Sequence, residues 1–281
     1  MRLTTSVLAA AAALSALPAR AQEQGLDVVG APQDGATGFQ PAATGLARDL
    51  QWLDGMILVI ITAIVLLVCA LLVAVIVRYN RRANPESASF THNSPLEVAW
   101  TIGPIVILVF IGAFSLPVLF EQQEIPEGDV HIKVTGYQWF WGYEYTDHDF
   151  GFDSFMLARD ELEEHGYSQD LYKLATNTAV VVPKGKTVVM TVTGADVIHS
   201  WTIPSFGVKQ DAVPGRLAEL WFTPEKEGVY FGQCSELCGK DHAYMPITVK
   251  VVSPEAYEQW LEDAKAEYAG KPASYDVAAA E

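Results

Sequence analysis

Four side chains able to bind a soft metal crowd into twelve residues, Cys234-Ser-Glu-Leu-Cys238-Gly-Lys-Asp-His242-Ala-Tyr-Met245. Two thiolates, an imidazole and a thioether favour copper over hard cations, which prefer oxygen ligands. Cys238-x3-His242-x2-Met245 alone would suit the loop of a mononuclear blue-copper site. Such a site needs a histidine from an earlier strand, and His199 in Asp196-Val-Ile-His199-Ser-Trp201 is placed to supply it. Cys234 changes the stoichiometry. Two thiolates four residues apart on a turn can both point inward and bridge a pair of copper ions. His199 and His242 then complete one copper each, with Met245 and a backbone carbonyl as weak axial ligands. The same residues admit other readings: a Cys234–Cys238 disulfide in an oxidising compartment, a zinc site, which has little use for methionine, or unrelated core residues. Cys69 lies within an apolar run and reads as a packed thiol.

The elements that must position this loop are segregated along the chain. Residues 1–21 combine Arg2, an apolar run from Val7 to Leu17 and the ending Ala19-Arg20-Ala21, the pattern of a secretory signal cut near Ala21–Gln22. From Gln22 to about Leu50 the chain is rich in Gly, Pro, Ala and Thr and shows no period, so residues 22–55 are expected to form an extracytoplasmic segment. Residues 56–77 and 98–120 carry no charge over 22 and 23 residues, long enough to cross a bilayer, giving a hairpin over 56–120. The connecting loop 78–97 holds Arg78, Arg81 and Arg82 and so faces the cytoplasm. Trp52 suits an interfacial anchor at the opposite end. Both termini then lie outside, in agreement with the signal. At the loop's end, Ser94-Pro95-Leu96-Glu97 reads as a capping box with Pro at the first helical position.

From Glu121 onward the chain holds 27 acids against 12 bases, so nearly all of the net charge of −16 sits on the external part. That balance excludes a general nucleic-acid binder, which needs a basic footprint. Short β-prone runs separated by turn signals occupy residues 130–136, 179–182, 187–193, 217–222, 228–231 and 247–252. They predict an antiparallel sandwich or barrel over 121–252. Residues 160–174 form an acidic insertion with helical character. Residues 253–281 should hold a short helix capped by Ser253, then a tail. The run Tyr137-Gln138-Trp139-Phe140-Trp141-Gly142-Tyr143 is denser in aromatics than a strand core requires.

HNSPLEVAW, GYQWFWGYEY, DVIHSW and GQCSELCGKDHAYMPI, in this order and with both spans, resemble subunit 2 of the bacterial haem–copper cytochrome c oxidases of the dinuclear copper A type. The resemblance runs from about Gly38 to Trp260. It implies a two-helix transmembrane hairpin followed by an all-β cupredoxin-like Greek-key barrel. The copper A ligands it implies are His199, Cys234, Glu236 through its backbone carbonyl, Cys238, His242 and Met245. The Glu236 carboxylate would also bind magnesium at the contact with subunit 1. Trp139 would take up the electron from cytochrome c, and Glu144, Asp147, Asp149, Asp153 and Asp196 would form the acidic docking patch. Asn177 stands where some relatives carry an acid. Glu97 would mark the mouth of a proton pathway into subunit 1.

The implied partners are subunit 1, subunit 3, cytochrome c and the lipid bilayer. The implied location is the bacterial inner membrane, with the copper domain on the periplasmic side. The chain would be the electron-input subunit, while oxygen chemistry needs the haem and copper of subunit 1. A quinol oxidase subunit would lack the copper ligands, a fused cytochrome c would show Cys-x2-Cys-His, and a membrane-anchored copper carrier would not need the docking aromatics.

Overall fold

The computed structural model describes residues 25–268. The expected signal segment 1–21 and the expected tail beyond Gly270 lie outside the described residues. Two long helices lead into a β-rich domain. Helix α1 spans Gly45–Arg78 and α2 spans Ser94–Gln123. At 1.5 Å per residue they run roughly 45–50 Å, well beyond a ~30 Å hydrocarbon core. Their apolar middles are largely exposed, as lipid-facing helices are. The two helices meet through Trp52 and Phe114, edge to face at 5.8 Å.

Helix α1 begins inside the stretch expected to be loop. Thr44 caps it, accepting from Ala47 N–H at 3.0 Å and donating to the Phe206 carbonyl at 2.7 Å. Ala43, Leu46 and Ala47 are buried against the β domain. Gly207, at φ +70°, lets the chain pass so close that a Cβ there would meet Ala47 Cα at 2.7 Å. Arg48 adds an ion pair with Glu225. The first turn is thus fixed by tertiary docking, which no helical period in the sequence announces. Helix α2 is anchored too, since Trp221 Nε1 donates to the Glu121 carbonyl at 3.3 Å. Its cap lies one residue earlier than expected. Asn93 accepts from Leu96 N–H at 3.2 Å, and Glu97 Oε1 accepts from Asn93 N–H at 3.2 Å. Asn93 takes the extended backbone conformation of a cap, and Pro95 then falls in the first turn, where its missing N–H leaves no donor unpaired.

The described residues form eleven strands, rich in β-branched and aromatic side chains: β1 Val28–Gly30, β2 Val130–Tyr137, β3 Phe140–Tyr145, β4 Phe150–Ser154, β5 Val180–Pro183, β6 Val188–Gly194, β7 His199–Ile203, β8 Val208–Ala212, β9 Ala218–Phe222, β10 Gly228–Gln233 and β11 Pro246–Val252. One sheet has the order β4-β3-β2-β6-β9, another β1-β10-β11-β5, and β7-β8 form a hairpin. The expectation of a purely antiparallel sandwich is corrected. Pairs β2/β6, β5/β11 and β1/β10 run parallel, because crossover connections bring strands distant in sequence side by side. Trp141, Tyr143, Tyr145, Trp201, Phe222 and Tyr230 fill the core between the sheets.

The insertion is not an α-helix. Residues 157–175 form turns with a 3-10 turn at Gln169–Leu171, and Leu157, Leu162, Tyr167, Leu171 and Ala175 close over Val229 and Phe231 of β10. Burial of these five side chains, rather than helical hydrogen bonding, fixes its path. Helix α3, Pro254–Tyr268, is capped by Ser253, whose Oγ accepts from Ala256 N–H at 3.2 Å. It buries Tyr257, Leu261 and Ala264.

Candidate metal centre

Strand β10 ends at Gln233 and β11 starts at Pro246, so the ligand-rich residues form the loop joining two neighbouring antiparallel strands. Cys234 N–H donates to the Met245 carbonyl at 3.2 Å and closes the loop at its base. Cys234 and Cys238 are free thiols with sulfurs 3.8 Å apart, close enough for one pair of metal ions to sit between them and their neighbours. His199 opens β7, and its Nδ1 faces the Cys234 sulfur at 4.0 Å. His242 Nδ1 faces the Cys238 sulfur at 3.6 Å, Met245 Sδ lies 3.5 Å from it, and the Glu236 carbonyl oxygen is 3.3 Å from the Cys234 sulfur. All six expected ligands therefore converge on one place. His199, Cys234, Cys238 and Met245 are buried, while His242 is half-buried.

The donor set fits a pair of soft cations. His199 Nε2 bonds Asp196 Oδ1 at 2.8 Å, so the ring donates there and turns its Nδ1 lone pair to the sulfurs. A carboxylate that fixes a histidine in this way is the usual support for a metal-binding imidazole. Burial pushes the His199 pKa down, but its bonds to Cys234 and Asp196 outweigh that and leave it raised. Burial raises Asp196, and its bonds to His199, Val197 and Gln138 pull it below the usual carboxylate range. For Cys234, burial pushes up and its contacts with His199, the Glu236 and Ser200 backbone and His242 bring the thiol down, whereas burial and then the neighbouring Cys234 charge push Cys238 up. One proton leaves this pair readily and the second does not. Ionising both thiols requires a positive charge between them, which is what bound metal supplies.

The β2–β3 connection covers the loop. Trp139, half-buried in that two-residue turn, donates from Nε1 to the Cys238 carbonyl at 3.2 Å. Lys240 carries its ammonium 5.4 Å from the Trp139 ring centroid. Glu144, Asp153 and Asp196 surround the neighbouring Tyr137, whose pKa is raised first by burial and then by these three charges. Asp147 and Asp149 stand apart. They lie in the β3–β4 turn, about 20 Å along the strand from Trp139, where Asp147 accepts from His131 N–H at 2.9 Å. Asn177 is engaged by backbone, accepting from Phe155 N–H at 2.8 Å. Glu97 lies at the far end of α2, and Glu236 turns an exposed carboxylate to solvent.

Two residues with no part in the expected site prove central to its geometry. Gly136 lies under the His199 ring, and Gln138 reaches the Cys238 carbonyl. The GYQW run holds both, yet nothing in their types announces a metal. One consequence concerns Met245. Its thioether touches only one of the two sulfurs, so Met245→Leu should retain both metals, raise the redox potential and distort the absorption spectrum. Metal loss measured by elemental analysis would refute an axial role.

Residues 32–118 match the family Cytochrome C oxidase subunit II, transmembrane domain, and residues 130–252 match Cytochrome C oxidase subunit II, periplasmic domain. The chain is 60% identical over 277 residues to cytochrome c oxidase subunit 2 of Cereibacter sphaeroides, covering 94% of this chain and 91% of that one. It is 40% identical over 231 residues to the Zea mays subunit 2, covering 80% and 87%. Among solved structures it is similar to the periplasmic domain of subunit II of the Bradyrhizobium japonicum cytochrome oxidase, at 48% identity and TM-score 0.47, covering 52% of this chain and 100% of that one.

Proposed function

The chain belongs to the cytochrome c oxidase subunit 2 family, and from that premise we propose how its own residues perform electron input. The observation that carries the reading is the convergence of two free thiols, two imidazole Nδ1 atoms, a thioether and a peptide carbonyl at the end of β10. His199, Cys234, the Glu236 carbonyl, Cys238, His242 and Met245 would hold the dinuclear copper A centre. When bound, that centre would supply a one-electron couple whose charge change is spread over two ions, so that little nuclear rearrangement accompanies transfer.

The chain's residues do the rest. Trp139 offers an indole at the surface that is hydrogen-bonded to the backbone of Cys238, a direct conduit from cytochrome c. Asp196, bonded to the Gln138 backbone beside it, and Asp153 on the neighbouring strand steer a basic partner by long-range attraction, with Glu144, ion-paired to Lys133, and Asp147 and Asp149 adding to the field from further off. Burial of His199 and the two cysteines keeps water off the sulfurs. The exposed Glu236 carboxylate is the chain's contribution to a magnesium ion shared with subunit 1. Helices α1 and α2 hold the domain against the bilayer on the periplasmic side of the bacterial inner membrane, where subunits 1 and 3 would pack on their exposed apolar flanks.

The chain purified from membranes should carry two coppers and show a mixed-valence copper signal. One copper per chain, or a copper-loaded form containing a Cys234–Cys238 disulfide, would refute the dinuclear assignment. On the cytoplasmic side, Glu97 serves as a cap, a task that glutamine can also perform. As the mouth of a proton pathway it must titrate, which glutamine cannot do. Glu97→Gln should therefore assemble, retain copper and take up electrons at the original rate, yet turn over several-fold more slowly in steady-state oxygen consumption. Unchanged steady-state turnover would leave Glu97 only its cap.

A further inference from the structure

One carbonyl stands between the surface ring Trp139 and the buried thiol Cys238, and two side-chain donors meet on it. Gln138 Nε2 donates to the Cys238 carbonyl oxygen at 2.7 Å, and Trp139 Nε1 donates to the same oxygen at 3.2 Å. Gln138 is held from its other side. Its backbone N–H donates to Asp196 Oδ2 at 2.7 Å, while Asp196 Oδ1 accepts from His199 Nε2 at 2.8 Å. A continuous hydrogen-bonded chain thus runs from His199 through Asp196 and Gln138 to Cys238. Gly239 closes the cradle, since a Cβ there would lie 2.9 Å from Trp139 Cζ2 and 3.0 Å from Gln138 Nε2.

We infer that Gln138 is a positioning residue for electron transfer: its carboxamide pins the Cys238 carbonyl against the Trp139 indole and sets the electrostatic environment of the cysteine ligand. The inference rests on Trp139 as the input ring and deepens that reading.

Two physical effects follow from the geometry. The first is distance. The indole's own bond at 3.2 Å is the longer of the two, and the peptide that accepts it belongs to a loop without regular strand pairing. The shorter amide bond stops that peptide from tilting, so the gap between ring and ligand stays closed. Electron transfer across a nonbonded gap falls steeply with its width, so a loosened carbonyl costs rate. The second effect is charge. Two N–H dipoles point their positive ends at the peptide of a metal-binding cysteine, and fixed dipoles of this kind favour the more electron-rich state. Loss of the Gln138 donor should lower the potential. A side chain that only touched cytochrome c would do neither.

The test uses the complete oxidase with Gln138→Leu, which keeps the side-chain volume and removes the donor. Two coppers per chain should remain. The copper absorption and magnetic-resonance spectra should shift, and at the wild-type midpoint the ratio of reduced to oxidised copper should fall about threefold, as expected for one lost hydrogen bond. Electron uptake within the complex should slow about fivefold to tenfold, roughly 1–1.4 kcal/mol in barrier, with the Kd for cytochrome c unchanged. A raised Kd with unaltered spectrum, potential and intracomplex rate would overturn the inference and make Gln138 a docking contact. Wild-type behaviour throughout would overturn it as well. If Gln138→Leu fails to load copper, Gln138→Asn carries the test with the same signs and smaller shifts, because its donor falls one methylene short. Trp139→Ala measured in parallel separates the two levels. An intact uptake rate there would sink the input-ring reading, while the spectral and potential shifts of Gln138→Leu would still decide whether the carbonyl is clamped.

Discussion

Trp139→Ala is expected to slow electron uptake from cytochrome c by about 100-fold, roughly 2.7 kcal/mol in barrier, while the protein folds normally and keeps both coppers. The ring is half-buried in a two-residue turn and packs on the rim of the core that Trp141, Tyr143 and Tyr145 fill, so its removal opens a notch at the surface rather than an internal cavity. What the alanine variant loses is the hydrogen-bonded contact to Cys238, together with the close approach of the ring to Gly239 and its cation–π contact with Lys240. Binding should change less than threefold, because the acids that steer a basic partner remain in place and one half-exposed ring contributes modest area. Stopped-flow reduction by cytochrome c, run beside a binding isotherm, checks the split. An unchanged uptake rate would remove the conduit role, whereas a large loss of affinity with a normal rate would turn the ring into an anchor.

The sequence exposed the ligands far better than the contacts that hold them. Cys234, Cys238, His242 and Met245 are legible because one loop carries them all, and soft ligands at that density have few other uses. His199 is recognisable by type, but its approach to the sulfurs depends on the strand arrangement, which puts β7 beside the end of β10. Asp196 reads as one more acid on a highly acidic face. In the folded chain its two oxygens hold His199, Val197 and Gln138, and its side chain is only 25% exposed. The three-residue spacing to His199 was the available signal. Strand direction separated the remaining acids: Asp153 lies opposite Gly142 near the Trp139 end of the sheet, while Asp147 and Asp149 sit at the other end. The start of α1 and the path of residues 157–175 escaped local reading for one reason. Both are fixed by burial against residues more than 50 positions away, Phe206 and Gly207 in one case and Val229 and Phe231 in the other.

The largest structural effect should come from a residue that carries no chemistry at all. Gly136 is paired on β2 with Trp141 of β3 and Gly194 of β6, and a Cβ added to it would lie 2.9 Å from both Cγ and Cδ2 of His199. Real side chains do not tolerate such contacts, so one of the two must move. The strand cannot, because it is hydrogen-bonded on both edges. The ring has little room, since His199 is fully buried with Trp141 packed edge-on at 5.9 Å and Cys234 in front. Its remaining freedom is to swing away from Asp196, which withdraws Nδ1 from the sulfurs. Gly136→Ala should weaken copper binding by about tenfold to 100-fold, as loss of a supporting contact to a metal-binding histidine does, at a stability cost of roughly 1–3 kcal/mol from overpacking. Gly136→Val, with two further methyl groups against the ring, should come off the column without copper. Gly38 has nothing within 4 Å of its added Cβ, so Gly38→Val is the matched control and should load fully. Copper-to-protein ratio and the mixed-valence signal are the readouts, with far-UV circular dichroism to show that the β domain persists. A Gly136→Val chain holding two coppers with the wild-type spectrum would mean that His199 does not need the space this glycine leaves.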